Sequence, residues 1–392
     1  MNGCRMRIGF DGRFIRRTMS GNGVFSQQFL QGLARIDHYN DYTVYLLEDI
    51  RCVEQTNFHL KRMPALHSNS YARLLLTFPF ELRKAGLDVF HALYNVPLWT
   101  NSRVVLSLVE FGWLTNPGDF PASDLFLAQL RFLNRLSIKR ADRIITPTET
   151  MRSRVLEYFA VPEERVITIP FGFDERFRQR VQPAQMERIR QKFGIGEHYL
   201  LYVGDLHPRK NLPVLIDSFA RLCRSGRFPH QLVLAGKDHW DAEKIRRKAA
   251  QSPAHDRIVF TGYVTHEDLR GLFQGASLFV LPSLDEGYGL PIHEAMASAI
   301  PVLASKLPTL QEVAQDAALY FEPKDVGGLT ALIDKALANK ELRDQLVEGG
   351  RQCIKRFDWE TSCRKLLSVY EELGAANNCR LAGRRVADKT SA

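Results

Sequence analysis

Leu281-Pro282-Ser283-Leu284-Asp285-Glu286-Gly287-Tyr288-Gly289-Leu290-Pro291-Ile292-His293-Glu294-Ala295-Met296-Ala297 follows an apolar run, Ala276–Leu281, rich in strand formers and bounded by Gly275 and Pro282. That composition predicts a short buried strand. Gly287 and Gly289 then break the backbone. Pro291 suits the first turn of a helix, because its φ is fixed near the helical value and it has no N–H to leave unpaired. Ile292 to Ser298 reads as that helix. A strand, a glycine loop and a helix start together offer unpaired N–H groups and the positive end of a dipole, which is a place to hold phosphate. Glu286 lies in the loop and Glu294 on the helix, so the two carboxylates can hold different parts of one ligand. Taken alone, the stretch is equally compatible with a strand–turn–helix whose glutamates face water.

A second stretch narrows the reading. Leu200-Leu201-Tyr202-Val203-Gly204-Asp205-Leu206-His207-Pro208-Arg209-Lys210-Asn211 runs from a buried-type strand through a glycine into a loop with adjacent cations. Together the two stretches resemble the signature of the retaining glycosyltransferases of the GT-B fold, glycosyltransferase family four. That family has two glutamates with seven residues between them around an E-G-F/Y-G-L-P loop, and a G-x-x-x-x-x-K-N loop carrying basic residues. The resemblance implies two Rossmann-like α/β domains with doubly wound parallel sheets, facing a central cleft.

Composition agrees with a folded α/β protein. The 392 residues suffice for two domains, and 45% apolar residues can build their cores. No run reaches the roughly 18 apolar residues that span a bilayer, and the N-terminus lacks the apolar region of a signal peptide, so a cytoplasmic protein is expected. Six cysteines without a C-x-x-C pair predict reduced thiols. Residues 1–193 hold 27 Lys+Arg against 19 Asp+Glu, and the rest hold 26 against 25. The basic half suits an anionic membrane surface or a phosphorylated acceptor. No zinc-finger spacing or aromatic RNA-binding pair is present, so no nucleic-acid partner is expected.

Read in order, strands are expected at Met6–Asp11, Tyr42–Leu47, Asp88–Ala92, Val104–Val109, Arg143–Thr146 and Val166–Ile169, with helices at Val24–Leu33, Asp124–Arg140 and Glu149–Phe159. A second set follows at Tyr199–Val203, Gln231–Ala235, Arg257–Thr261, Leu278–Leu281, Pro301–Ala304 and Leu319–Phe321. Helices near 213–224, 242–250, 266–274 and 309–313 separate them. This alternation predicts parallel, doubly wound sheets. The expected division is an N-terminal domain over 1–175, a linker over 176–195 broken by Pro183, a C-terminal domain over 196–358, a crossover helix over 359–374 and a disordered tail over 375–392. Ser70–Arg83 mixes apolar and basic residues and reads either as a membrane-surface element or as a half-buried helix.

Site residues follow from the resemblance. Arg209 and Lys210 would neutralise the donor diphosphate, and Glu286 would hold a sugar hydroxyl beside the anomeric carbon. Glu294 would accept from the ribose hydroxyls. Gly204, Gly236 and Gly287 line the donor, Tyr263 and Val264 meet the base, and the backbone of Tyr288, Gly289 and Leu290 adds N–H groups at the phosphates. Gly21 and Gly23 match the family's amino-terminal glycine turn toward the acceptor, though a plain tight turn explains them as well. The family's His-Asp pair is replaced by Val109 and Glu110; His91 is a candidate substitute for the histidine. Phe171 stands in place of a usual asparagine.

The expected reaction moves a hexosyl group, first of all mannose from GDP-mannose, to an acceptor hydroxyl, with retention and without a metal cofactor. The expected acceptor is a glycan or lipid-linked glycan at the inner membrane face. Two other readings remain open: another GT-B enzyme (an epimerase or a phosphorylase), and a non-catalytic binder of sugar nucleotides.

Overall fold

The computed structural model describes residues 5–112, 123–224, 226 and 228–390. Backbone contacts divide the chain into two compact units. The first joins Met1–Val109, Asp124–Gly172 and Trp359–Ala392; the second joins Glu110–Ser123 and Phe173–Asp358.

The first unit holds strands β1 (Arg7–Asp11), β2 (Asp41–Leu46), β3 (Phe58–Arg62), β4 (Val89–Leu93), β5 (Arg103–Ser107), β6 (Arg143–Thr146) and β7 (Val166–Thr168). They form one sheet in the order β3-β2-β1-β4-β5-β6-β7, parallel throughout. Helices α1 (Gly21–Ile36), α2 (Phe78–Ala85), α3 (Asp124–Arg140) and α4 (Glu149–Phe159) lie between strands. β4 is buried along its whole length, as a parallel strand covered on both faces must be. β3 is an edge strand that sequence inspection leaves unassigned.

The second unit repeats the plan. Strands β8 (Tyr199–Val203), β9 (Gln231–Ala235), β10 (Ile258–Gly262), β11 (Leu278–Leu281), β12 (Val302–Ser305) and β13 (Leu319–Phe321) form a parallel sheet ordered β10-β9-β8-β11-β12-β13. Its helices are α5 (Pro183–Phe193), α6 (Leu212–Cys223), α7 (Ala242–Ala250), α8 (His266–Gly275), α9 (Leu290–Ala297), α10 (Pro308–Ala314), α11 (Val326–Ala338) and α12 (Lys340–Cys353).

The expected linker over 176–195 is corrected by α5. Its Ile189 is buried against Gly271 of α8, where a side chain on Gly271 would come within 2.3 Å of Ile189 Cδ1. Met186, Ile189 and Phe193 keep a helical spacing, but Glu187, Arg188, Arg190 and Lys192 lie among them, which is why the segment reads as a polar connection.

The C-terminal helix α13 runs Trp359–Thr390, beyond the expected 359–374, so the backbone of 375–390 is helical rather than a tail; the last two residues lie outside the described ones. α13 belongs to the first unit. It packs on α1 so closely that a Cβ on Gly32 would come 2.4 Å from Cys363 Sγ. Phe171, in place of the expected asparagine, stacks on Trp359 at 5.8 Å and on Phe25 at 4.5 Å, which makes it an apolar anchor for this helix. Cys52, Cys223, Cys353 and Cys363 are free thiols; the side chains of Cys4 and Cys379 lie outside the described residues.

Candidate functional site

In the second sheet the winding reverses between β8 and β11, and a doubly wound sheet opens a crevice for ligands at the carboxyl ends of such neighbours. Both motif loops leave from these two strands. After β8, Gly204 adopts φ 149° and its N–H donates to Ala235 O at 2.9 Å. Gly236, at the end of β9, lies so close that an added Cβ would sit 1.9 Å from Gly204 O. Close backbone packing therefore requires glycine at 236. His207 then caps a one-turn 3₁₀ segment, Pro208–Lys210, with Nδ1 accepting from Arg209 N at 3.1 Å. Burial first, then the neighbouring Arg209, holds the His207 pKa down at about 3, so the ring is neutral and can accept.

Asn211 (φ 56°) closes the loop and clamps it to its neighbours. Its Nδ2 donates to Pro282 O at 2.9 Å and to Pro323 O at 2.6 Å. Leu284 N donates to Arg209 O at 2.8 Å, so the β8 and β11 loops are held backbone to backbone.

This scaffold brings four charged side chains together. Lys210 Nζ lies 2.5 Å from Glu286 Oε1, and Arg209 Nη1 lies 3.4 Å from Glu286 Oε2. The other guanidinium nitrogen, Nη2, pairs with Glu110 Oε2 at 2.8 Å. Ser283, fully buried, donates its hydroxyl to Glu286 Oε1 at 2.7 Å. Burial would raise the Glu286 pKa, but Lys210, Arg209 and Ser283 outweigh it and hold the carboxyl at about 2. Arg209 is kept charged, above its ordinary value, by Glu110 and Glu286 against the opposing effect of its burial. Ser283 and Asn211 were not singled out from sequence. Ser283 opens the Ser283-Leu284-Asp285-Glu286 run of the quoted stretch, but nothing local in the sequence shows that its hydroxyl reaches Glu286.

Glu110 therefore stands with the basic loop of the second unit. The histidine that Val109 replaces is not supplied by His91. That ring is buried in the first unit, with Nδ1 2.5 Å from Tyr370 Oη and Nε2 2.8 Å from Ser107 Oγ, and burial lowers its pKa to about 3. It joins β4, β5 and α13 and has no nitrogen left for a ligand.

On α9, Gly289 takes φ 97° before the helix, and Pro291 occupies the first turn. The Tyr288 ring is buried against His293 at 5.3 Å, so only its backbone can serve a ligand. Glu294 is half-buried and its carboxyl has no hydrogen-bond or ion-pair partner among the described residues. Burial pushes its pKa up to about 7; nearby His266 pulls it down and Asp174 pushes it up. His266 Nε2 is itself 2.9 Å from Asp174 Oδ2. At the β9 and β10 ends, Lys237 Nζ lies over the exposed Tyr263 ring, 5.1 Å from its centroid, with Val264 following in the chain.

Gly21 and Gly23 are in the first unit, inside the first turn of α1 rather than in a loop before it. A Cβ on Gly23 would approach Phe14 O to 2.4 Å, so chain packing already accounts for this glycine; nothing lies within 4 Å of one on Gly21.

The arrangement offers two half-buried cations, a low-pKa carboxylate and, on α9, a second carboxylate without a partner among the described residues. These features suit an anionic phosphate ligand with polar hydroxyls attached.

Comparison with known proteins agrees. The model "Glycosyltransferase Family 4" matches residues 23–177, and "Glycosyl transferases group 1" matches residues 185–353. The O-antigen chain mannosyltransferase B of Escherichia coli is 32% identical over 238 residues, covering 60% of this chain and 62% of that protein. The serotype-specific mannosyltransferase WbdA of Escherichia coli is 28% identical over 246 residues, 62% of this chain but 30% of its own length. The match thus spans less than two thirds of either relative. Among solved structures, a sucrose-phosphate synthase from Thermosynechococcus elongatus superposes with TM-score 0.78 at 20% identity, over 95% of this chain and 100% of that one. WaaG, a glycosyltransferase involved in lipopolysaccharide biosynthesis, gives 0.75 at 20% identity, over 93% and 99%. With both parallel sheets in place and the two family models meeting almost end to end, the chain belongs to the group 1, family 4 glycosyltransferases of the GT-B fold.

Proposed function

We propose that the protein is a retaining glycosyltransferase that moves a hexosyl group, mannose from GDP-mannose, to a hydroxyl of a lipid-linked glycan in surface polysaccharide synthesis. The carrying observation is the Arg209–Lys210–Glu286 cluster at the reversal point of the second sheet. The mannosyltransferase relatives favour the sugar and the pathway class. The acceptor oxygen forms a bond to the anomeric carbon while the bond from that carbon to the diphosphate oxygen breaks. The nucleoside diphosphate leaves with the electron pair and takes up the acceptor proton on the same face, which preserves configuration.

In this reading Arg209 and Lys210 stabilise the charge that grows on the leaving diphosphate, aided by backbone N–H groups of residues 288–290. Glu286 orients a sugar hydroxyl, and Glu294 accepts from the ribose. Gly204, Gly236 and Gly287 allow close backbone approach, and Tyr263 and Val264 border the base. No metal cofactor is assigned, so EDTA is expected to leave turnover unchanged. The unit with Gly21 and Gly23 is assigned to the acceptor. No helix among the described residues is long and apolar enough to cross a membrane, and the proposed location is the cytoplasmic membrane face.

A second reading, a sugar-nucleotide binder without turnover, is favoured by Val109, because neither it nor the engaged His91 can serve the donor sugar. One experiment addresses both readings. Thermal stability is measured with GDP, UDP, dTDP and their sugars, for the wild type and for Lys210→Ala and Glu294→Ala. A nucleotide at 100 times its Kd stabilises by about 2.7 kcal/mol. A shift with one base, lost in both variants, supports the site, and transfer from that donor to a lipid-linked acceptor supports the enzyme. A shift without transfer or donor hydrolysis supports the binder. No shift with any nucleotide refutes both.

A further inference from the structure

We propose that a groove on the first unit, between residues 73–83 and the loop around Trp99, docks on an anionic lipid surface. Residues Arg73–Thr77 form a π-turn leading into α2. The wider turn keeps Arg73 and Leu74 buried and turns the next two residues outward, leaving Leu75 40% and Leu76 62% exposed. Phe80, after the first-turn Pro79, is 69% exposed, and Trp99 is 63% exposed. The groove they line is about 800 Å³.

This exposure is built in. Leu98 N donates to Leu74 O at 3.2 Å and Trp99 Nε1 to Leu75 O at 3.4 Å, so the loop and the π-turn present their apolar side chains as one hydrogen-bonded surface. It is also concentrated. Of the thirteen exposed large apolar side chains among the described residues, six fall between Leu66 and Trp99, which makes a patch rather than the usual scatter.

Charge selects the occupant. Arg83 lines the groove and Lys84 follows it; both are exposed, with no ion pair among the described residues. Glu81, the one carboxylate of α2, is already paired with Lys61. A second copy seated on the same patch would bring these cations against their own counterparts. Anionic headgroups would meet them favourably, while Leu76, Phe80 and Trp99 enter the acyl boundary. This surface would bring the protein to the lipid-linked acceptor proposed above, but its test needs neither donor nor acceptor.

The full chain is sedimented with vesicles of phosphatidylcholine, with and without about 30 mol% phosphatidylglycerol, in the absence of sugar nucleotide. Wild type is compared with Leu76→Glu, Phe80→Glu and the double variant Arg83→Ser/Lys84→Ser. Melting temperatures and the nucleotide-induced shift serve as controls, and none of these residues belongs to the donor site. The expected result is binding that requires the anionic lipid and falls at least tenfold in either glutamate variant, and about 30-fold in the double variant at about 1 kcal/mol per cation. Unchanged nucleotide shifts would accompany it. Absence of vesicle binding, or equal binding by wild type and Phe80→Glu, overturns the proposal. So does wild-type dimerisation in solution that Phe80→Glu abolishes without any vesicle binding. Absence of wild-type vesicle binding alongside an intact nucleotide-induced melting shift separates this failure from failure of the transferase reading.

Discussion

Glu286 and Glu294 are both carboxylates with restricted exposure, yet their surroundings push them in opposite directions. Glu286 is held at about 2 by Lys210, Arg209 and Ser283 in spite of its burial. A carboxyl whose pKa is lowered on folding contributes stability above its unfolded value near 4.5, and loses it as pH falls from there to about 2. Glu286→Gln should cost about 3 kcal/mol at pH 7, because two half-buried cations lose a counter-ion, and should flatten the acid limb of a stability–pH curve from denaturant titrations. Glu294 is raised to about 7 by burial. It opposes folding increasingly as pH rises from about 4.5 to about 7, where the unfolded chain has ionised and the fold has not. Glu294→Gln should therefore stabilise the protein at pH 8 by about 1–2 kcal/mol, change little at pH 4, and weaken nucleotide binding at both. Equal effects of the substitution at pH 4 and pH 8 would remove this account. Glu110 poses a third case. It already neutralises Arg209, so a donor diphosphate must compete with it for the guanidinium. Glu110→Gln should tighten nucleoside diphosphate binding by about 3- to 10-fold in calorimetry; weaker binding would mean that Glu110 mainly orients Arg209.

At the scale of elements, the β8 and β11 loops were legible because strand, glycine and helix start follow one another within a dozen residues. Gly289 with its φ of 97° and Pro291 in the first turn are local signals of local geometry. The Glu110–Arg209 pair was not legible: its members are far apart in sequence and meet only through the fold. β3 carries Phe58-His59-Leu60-Lys61-Arg62 on a sheet edge, where half-exposure erases the continuous apolar run that marks an inner strand. α5 buries Ile189 alone, and the charged residues at 187, 188, 190 and 192 mask the helical spacing of Met186, Ile189 and Phe193. The glycines divide along the same line. Gly236 reads from sequence as a ligand-side turn, but the structure gives it a packing reason, the 1.9 Å approach of Gly204 O to any Cβ. Gly236→Ala should thus lower stability by about 3 kcal/mol or more before any ligand is added, since the atom in the way is backbone. Gly21→Ala, with nothing within 4 Å, should be close to neutral. Thermal melts of the two variants without ligand decide this, and equal losses would refute the packing explanation.

For the whole molecule, the two sheets share one winding plan, but the chain does not divide into two consecutive pieces, because α13 returns to the first unit. That return supplies a core. Trp359, Cys363, Leu366, Val369, Tyr370 and Leu373 are all buried, and Trp359 closes an aromatic cluster with Phe29 at 5.0 Å and Phe171 at 5.8 Å. At about 1.5–3 kcal/mol for each large apolar side chain, their burial contributes on the order of 10 kcal/mol. That equals the net stability of an ordinary domain, about 5–15 kcal/mol. Removing residues 359–392 should therefore unfold the first unit rather than weaken it slightly, although seven of its strands remain. The second unit keeps all of its strands and helices α5–α12 in the truncated chain and should keep its fold. Hydrogen exchange followed by mass spectrometry reads both at once: β1–β7 should lose protection while β8–β13 retain it. Tyr370→Phe is the graded version. It leaves the buried Nδ1 of His91 without its partner and should cost about 1–3 kcal/mol, with the change confined to the first unit. Full protection of β1–β7 in the truncated chain would show that the first sheet is stable by itself and that α13 is only laid upon it.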